Sequence, residues 1–169
     1  VAAGLYHTIG KEIDDQYMAT IQALVLDHDS IAKAAGLKIV YTPLHGTGNL
    51  PVRRVLSELG FRNVFVVPEQ EKPDGSFPTV KSPNPEDKAA FTLALGYAKE
   101  QGADLVLATD PDADRLGVFA LDRASGEYKS LTGNMSGVLV CDYLLRRRKE
   151  LGILPANGAV VSTIVSTNM

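Results

Sequence analysis

Three aspartates and an arginine are the residues of this chain best suited to chemistry. Asp110, Asp112 and Asp114 alternate within residues 108–118, and Arg115 follows them directly. If the segment is extended, every second side chain points the same way, so the three carboxylates are expected to converge. Carboxylates held together repel one another and lose hydration unless a cation neutralises them. A hard divalent ion is the natural partner, and Mg²⁺ fits best if the site leaves positions open for a phosphate oxygen and water.

The same segment has simpler interpretations that the spacing leaves open. Aspartate is common in turns, so an aspartate-rich loop can be a solvated connector. Arg115 suits a phosphate or another anion near the metal, because its guanidinium matches phosphate geometry. It could equally form a salt bridge to one of the aspartates.

Apolar runs on both sides of the aspartates are predicted strands, which places the carboxylates on a loop between them. Residues 104–108 precede the loop and residues 116–121 follow it. The other predicted strands are 37–42, 63–67, 127–130 and 159–165, and the predicted helices are 14–28, 50–59, 86–101 and 135–151.

Two further loops are candidates for a functional role. Residues 43–49 join a strand to a helix and contain His45, Gly46 and Gly48. Open α/β sheets bind ligands at the carboxyl ends of their strands, so this loop could receive an anion, although a tight turn with glycine at positive φ is the favoured interpretation. Residues 68–85 form a long irregular stretch with five prolines, which predicts a stiff segment of functional importance.

Composition narrows the class of protein. The chain has 169 residues, is 45% hydrophobic and carries a net charge of −3, which gives no sign of nucleic-acid binding. The single cysteine, Cys141, excludes an internal disulfide, and a reduced, cytoplasmic setting is expected. No apolar run approaches the ~20 residues of a membrane span. The chain begins with Val1 rather than methionine, which suggests a piece of a longer protein.

Five motifs in order resemble the α-D-phosphohexomutase family, the phosphoglucomutases and phosphomannomutases. Asp-Pro-Asp-Ala-Asp-Arg at 110–115 is similar to that family's metal-binding loop. The other four motifs are Thr-Pro-Leu-His-Gly-x-Gly at 42–48, Pro-Asp-Gly-x-Phe-Pro at 73–78 with Pro-Asn-Pro-Glu at 83–86, Thr-Gly-Asn at 132–134, and Val-Ser-Thr-Ile-Val-Ser at 161–166. The resemblance implies an α/β fold: a three-layer α/β/α mixed sheet in residues 1–131, like the family's second domain, followed by a partial second α/β domain in residues 132–169.

The resemblance also implies a function. Asp110, Asp112 and Asp114 would hold Mg²⁺, with a phosphoserine oxygen as a further ligand, and Arg115 would contact the phosphate or phosphoserine. His45 would be a weaker candidate for substrate binding in the cleft. The reaction implied is reversible transfer of phosphate between C1 and C6 of a hexose through a bisphosphorylated sugar. Asp-Pro-Asp in the loop favours a phosphoglucomutase, with phosphomannomutase or phosphopentomutase as alternatives. The chain has no Ser-His-Asn nucleophile motif, so it would supply the metal site and be inactive without the first domain, the rest of the third and the fourth.

Two interpretations from other classes remain. The chain could be a non-catalytic metal- or phosphate-binding module. A phosphatase with an acidic metal loop would need an aspartyl nucleophile and a downstream lysine, and no such pairing is found. The unfinished second domain should leave an open sheet edge or apolar face, which predicts self-association or disorder in residues 132–169.

Overall fold

The computed structural model describes residues 4–163, which form one mixed five-stranded sheet with helices on both sides. The strands are β1 (Lys38–Thr42), β2 (Asn63–Val66), β3 (Leu105–Thr109), β4 (Leu116–Asp122) and β5 (Glu127–Leu131). The helices are α1 (Lys11–Gln22), α2 (His28–Ala34), α3 (Asn49–Glu58), α4 (Thr92–Gln101) and α5 (Gly133–Glu150), with short 3₁₀ turns at Pro68–Gln70 and Lys88–Phe91. The predicted α/β class is therefore confirmed.

The sheet changes from parallel to antiparallel at β3. The strand order is β2-β1-β3-β4-β5, with β1 parallel to both β2 and β3. β3 to β4 and β4 to β5 are antiparallel hairpins. Short connections between β3, β4 and β5 allow only this antiparallel arrangement, whereas the helices α3 and α4 provide the long crossovers that parallel neighbours need.

The main hydrophobic core lies between the sheet and α4. Val40, Val106 and Phe119 project from one face of the sheet onto Phe91, Ala94 and other small or aromatic side chains. Phe91 and Phe119 pack with ring centroids 4.6 Å apart, a normal separation for an aromatic pair. Alternation along a strand sends Tyr41 to the opposite face, where its hydroxyl lies against the start of α3. The two helix layers thus cover opposite faces of the sheet.

Most element boundaries agree with the sequence-based predictions, and three differ. The helix predicted at 14–28 is shorter and begins earlier: α1 ends at Gln22, and a separate helix α2 begins at His28. At the start of α2 the Asp27 side chain accepts a hydrogen bond from the Ser30 N–H. The helix predicted from residue 86 begins as a 3₁₀ turn after Asp87, and α4 proper starts at Thr92. Residues 159–163 of the predicted strand 159–165 are irregular, and residues 164–165 lie outside the described part of the chain.

Helix α5 begins as the sequence predicts and packs against β4 and β5. The Thr132 hydroxyl accepts a hydrogen bond from the Met135 N–H at 3.2 Å, which caps the helix. No residue of α5 is buried, and Met135, Leu139 and Val140 are each more than half exposed. The boundary between residues 1–131 and 132–169 stays a prediction. Within residues 4–163 no helix is both long and apolar enough to cross a membrane.

Candidate metal centre

The aspartate loop is the connection between the central strand β3 and its antiparallel neighbour β4. Thr109 pairs with Leu116 in the ladder, so residues 110–115 form a closed six-residue loop with both ends hydrogen-bonded into the sheet. β1 runs parallel to β3, and its carboxyl end therefore lies at the same edge. The loop that follows β1 is consequently the neighbour of the aspartate loop.

The three carboxylates converge, but through a turn rather than an extended chain. Ala113 lies in the left-handed region with φ 60°, and its N–H donates to the Asp110 carbonyl at 3.0 Å. One carboxylate oxygen from each of Asp110, Asp112 and Asp114 lies within 4.8 Å of the other two. The sequence predicted the cluster but gave the wrong geometric reason for it, because an alanine at positive φ has no clear sequence signal.

Asp110 is the buried member of the cluster, with 1% of its surface exposed. The Arg115 main-chain N–H donates to Asp110 Oδ1 at 2.9 Å, and Arg115 Nε donates to Oδ2 at 2.8 Å. Burial raises the pKa of Asp110, but the hydrogen bonds from Arg115, the hydrogen bond with Asp114 and the charge of Arg115 together hold the pKa below its ordinary value. Asp110 is therefore a carboxylate at neutral pH.

Asp112 and Asp114 are exposed, and repulsion within the carboxylate cluster affects Asp114 most clearly. The hydrogen bond to Asp110, together with the charges of Asp112 and Asp110, raises the pKa of Asp114 above its ordinary value. Like charges at this separation disfavour full ionisation, and a bound cation reverses that effect. The donor set consists of hard carboxylate oxygens, which suits Mg²⁺ or Ca²⁺ better than a softer metal. The residues present therefore fit the expected ion.

Arg115 forms the salt bridge that the sequence left open as one alternative. Besides its bonds to Asp110, its Nε lies 3.7 Å from Asp114 Oδ1, and its Nη1 donates to Asn84 Oδ1 at 3.1 Å. The side chain is about half exposed and lines a cavity of about 600 Å³ together with Asp110, Asp112 and Asn84. Arg115 remains accessible despite the salt bridge. Its contact with a phosphate group stays a prediction.

The loop after β1 supports the aspartate loop directly. The N–H and hydroxyl of Thr47 both donate to the Pro111 carbonyl, at 2.8 and 3.0 Å. A Cβ atom on Gly46 would lie 2.4 Å from Pro111 Cα, and one on Gly48 would lie 2.7 Å from Thr109 Oγ1. Both glycines are thus required by close packing. The sequence singled out the glycines but not Thr47, whose partner is 64 residues away.

His45 is buried beside this loop rather than exposed in the cavity. Its Nδ1 bonds the Lys72 carbonyl at 3.2 Å and its Nε2 bonds Thr79 Oγ1 at 2.8 Å. Because a carbonyl only accepts, Nδ1 is the donor to Lys72. These contacts join the loop after β1 to the long segment 68–85, which gives His45 a structural role. Its predicted part in substrate binding stays a prediction.

The long segment 68–85 is ordered by buried polar side chains. Gln70 is fully buried; its Oε1 accepts from Thr42 Oγ1 at 2.7 Å and its Nε2 donates to Thr79 Oγ1 at 3.0 Å. Asn84, the second-last residue of the segment, contacts Arg115. The sequence predicted a stiff and functionally important stretch, and the contacts place its end at the aspartate loop.

Comparison with known proteins gives a consistent family. The family model described as "Phosphoglucomutase/phosphomannomutase, alpha/beta/alpha domain II" matches residues 15–123. A crystal structure of a phosphoglucomutase/phosphomannomutase family protein from Burkholderia thailandensis superposes with a TM-score of 0.62. The superposed region covers 80% of this chain and 26% of the Burkholderia chain, with 23% sequence identity, so the comparison supports the fold alone.

Three curated relatives carry names of sugar-phosphate mutases. The chain is 39% identical over 142 residues to a "Probable phosphomannomutase" of Haemophilus influenzae, covering 84% of this chain and 28% of the relative. It is 42% identical over 116 residues to "Phosphoribomutase" of Saccharomyces cerevisiae, covering 66% of this chain and 19% of the relative. It is 36% identical over 159 residues to "Phosphoglucomutase" of Staphylococcus aureus, covering 94% and 27%. The chain therefore spans less than a third of the length of these relatives.

Proposed function

The chain belongs to the phosphoglucomutase/phosphomannomutase family, and we propose that it supplies the Mg²⁺ site of a phosphohexomutase. The proposed reaction moves phosphate reversibly between C1 and C6 of a hexose through a phosphoserine and a bisphosphorylated sugar. The observation that carries the proposal is the convergence of three carboxylate oxygens beside an arginine at the carboxyl edge of the sheet.

Each residue of the aspartate loop has a distinct part in this proposal. Asp110, Asp112 and Asp114 hold the ion, and Mg²⁺ when bound supplies positive charge that stabilises a transferring phosphoryl group. Arg115 directs a second positive charge into the same cavity and binds phosphate oxygens. Thr47 keeps the loop in place through its two hydrogen bonds to Pro111. These contacts favour electrostatic stabilisation over acid–base chemistry as the contribution of this chain.

Glucose phosphate is the proposed substrate. The Asp-Pro-Asp sequence at 110–112 resembles the phosphoglucomutase branch, and the match to the relative named phosphoglucomutase extends over 94% of the chain. The relatives named phosphomannomutase and phosphoribomutase support mannose and pentose phosphates as the alternatives. The proposal includes assembly with a serine-bearing domain, since no Ser-His-Asn sequence occurs in the 169 residues. It also includes a cytoplasmic location, for which the single cysteine is the argument.

Calorimetric titration of the 169-residue chain with MgCl₂ tests the metal site. We expect one site with a weak Kd, on the order of 1 mM, because three protein carboxylates leave the ion largely hydrated. Asp112→Asn should weaken binding by at least about tenfold. The exposed residue Asp29 in α2 gives a control, because Asp29→Asn changes the net charge equally but lies in a different element. Equal affinities in the two variants would contradict the site.

An activity assay tests the proposed division of the enzyme. The chain alone should produce no glucose 6-phosphate from glucose 1-phosphate in a coupled assay with MgCl₂, because it contains no candidate phosphoserine motif. Measurable turnover that disappears in Asp112→Asn would show that the chain carries its own nucleophile and would refute this part of the proposal.

A further inference from the structure

We infer that Asn84 is a positioning residue that fixes the guanidinium of Arg115 toward an anion in the aspartate cavity. Asn84 has no assigned role, and it lies 31 residues before its partner. The inference depends on the proposed function only for the identity of the anion, a phosphate group. The orientation of the guanidinium by Asn84 is a property of this chain by itself.

The Asn84 side chain is held in place by its own segment. Its Oδ1 accepts a hydrogen bond from the Glu86 N–H at 3.0 Å, and its carbonyl accepts one from the Asp87 N–H at 3.0 Å. Pro83 and Pro85 flank it and restrict the backbone on both sides. The acceptor that Asn84 presents to Arg115 is therefore fixed before any ligand is present.

Two hydrogen bonds from different nitrogens determine the plane of the Arg115 guanidinium. Nε donates to Asp110 Oδ2 at 2.8 Å and Nη1 donates to Asn84 Oδ1 at 3.1 Å. A guanidinium has five N–H donors in one rigid plane, so fixing two of its nitrogens fixes the third. Within the described part of the chain, the other three N–H groups have no hydrogen-bond acceptor. They form the kind of planar fork that binds a phosphate through two parallel bonds.

An amide suits this position better than a carboxylate. Arg115 already faces the negative charges of Asp110 and Asp114, and the charge of Glu86 also acts on it. A neutral amide oxygen adds a contact without adding a further negative charge, so the guanidinium keeps more of its attraction for an anion. Asn84 and Arg115 line the same cavity of about 600 Å³. The chemistry at this position thus favours orientation of Arg115 over its neutralisation.

The first experiment measures guanidinium orientation by NMR of the ¹⁵N-labelled chain, without metal or phosphate. Restricted rotation about the Nε–Cζ bond should give separate Nη resonances for Arg115 in the unmodified chain. Asn84→Ser keeps a side-chain oxygen for the local turn but shortens the reach to Arg115, and it should merge these resonances. Asn84→Asp retains the acceptor and should keep them separate. Asn63→Ala is the matched control, because Asn63 donates to the Gly36 carbonyl at the far end of the sheet.

The second experiment measures binding of inorganic phosphate in the presence of MgCl₂. Asn84→Ser should raise the phosphate Kd by about fivefold to tenfold, the effect of misaligning one charged hydrogen-bond donor. The Mg²⁺ affinity should stay within about twofold, because Asn84 contacts none of the three carboxylates. Asn63→Ala should change neither quantity.

The outcomes separate this inference from the proposed function. Separate Arg115 resonances in Asn84→Ser, or an unchanged phosphate Kd in a folded variant, would overturn the positioning role. Failure of the unmodified chain to bind Mg²⁺ would refute the proposed function alone, since the resonance pattern still decides the role of Asn84. A thermal melt of each variant verifies the fold. Merged Arg115 resonances in a folded Asn84→Asp variant, which retains the acceptor, would also overturn the positioning role.

Discussion

Substituting Gly46 with alanine should displace the aspartate loop and destabilise the fold. Gly46 has no positive φ, so the effect is purely one of space. The added Cβ would lie 2.4 Å from Pro111 Cα and 2.6 Å from the Pro111 carbonyl oxygen, at least about 1 Å inside normal contact. These atoms are backbone and cannot move aside as a side-chain tip does. Overpacking of this kind costs about 1–3 kcal/mol, and loss of the Thr47 bonds to the same carbonyl adds about 1 kcal/mol.

Urea unfolding followed by circular dichroism measures this effect. With a total loss of about 2–4 kcal/mol and an m-value of about 2 kcal/mol/M, the midpoint should fall by about 1–2 M. Gly75→Ala is the control, because a Cβ at Gly75 has no atom within 4 Å and Gly75 needs no positive φ. The Mg²⁺ affinity of Gly46→Ala should fall together with stability. A midpoint equal to that of Gly75→Ala, with unchanged Mg²⁺ affinity, would refute the argument that Gly46 is required for packing.

Three further predictions concern acid stability, the buried polar network and self-association. Hydrogen bonds from Lys129 and the Ser125 hydroxyl lower the pKa of Asp122 to about 2. The stability that this gives is present above pH 3.8 and is lost as the pH falls toward 2, so the free energies of unfolding of the chain and of Asp122→Asn should converge over that interval. A constant difference between the two free energies would contradict the prediction. Gln70→Leu should cost about 1–3 kcal/mol in urea unfolding, because it removes the acceptor of the buried Thr42 hydroxyl and the amide donor to the half-buried Thr79 hydroxyl. A loss below about 0.5 kcal/mol would mean that the network contributes no stability. Self-association through the exposed apolar face of α5 should decrease in Leu139→Glu relative to the unmodified chain in sedimentation experiments, and a purely monomeric unmodified chain would exclude it.

The sheet could be predicted from sequence because each strand is a short apolar run bounded by turn residues. The five strands lie within one or two residues of their predicted positions, and the loop between residues 108 and 116 was located by the same signal. Residues 159–163 of the predicted last strand are irregular; they follow a local turn closed by Pro155 and Gly158, and no strand among residues 4–163 pairs with them. A strand depends on its partner, and a single run of β-branched residues does not provide one.

The candidate site was predictable in composition but not in its supporting contacts. The alternation of Asp110, Asp112 and Asp114 indicated a cluster, whereas the left-handed Ala113 that forms it has no sequence signature. Thr47 and Asn84 reach the aspartate loop from 64 and 31 residues away. Such pairings depend on the order of strands in the sheet. One sequence therefore identifies the charged residues of a site more readily than the neutral residues that orient them.

The hairpin between β4 and β5 offers a place to attach a reporter. β4 begins at the aspartate loop and ends at Asp122, seven residues or about 20 Å away. The turn beyond it is closed by Gly126 at φ 73°, whose N–H donates to the Asp122 carbonyl, and its residues are exposed. A peptide tag inserted there would extend from the opposite end of the sheet. Such a tag allows the chain to be immobilised on a sensor surface with its metal cavity facing solution.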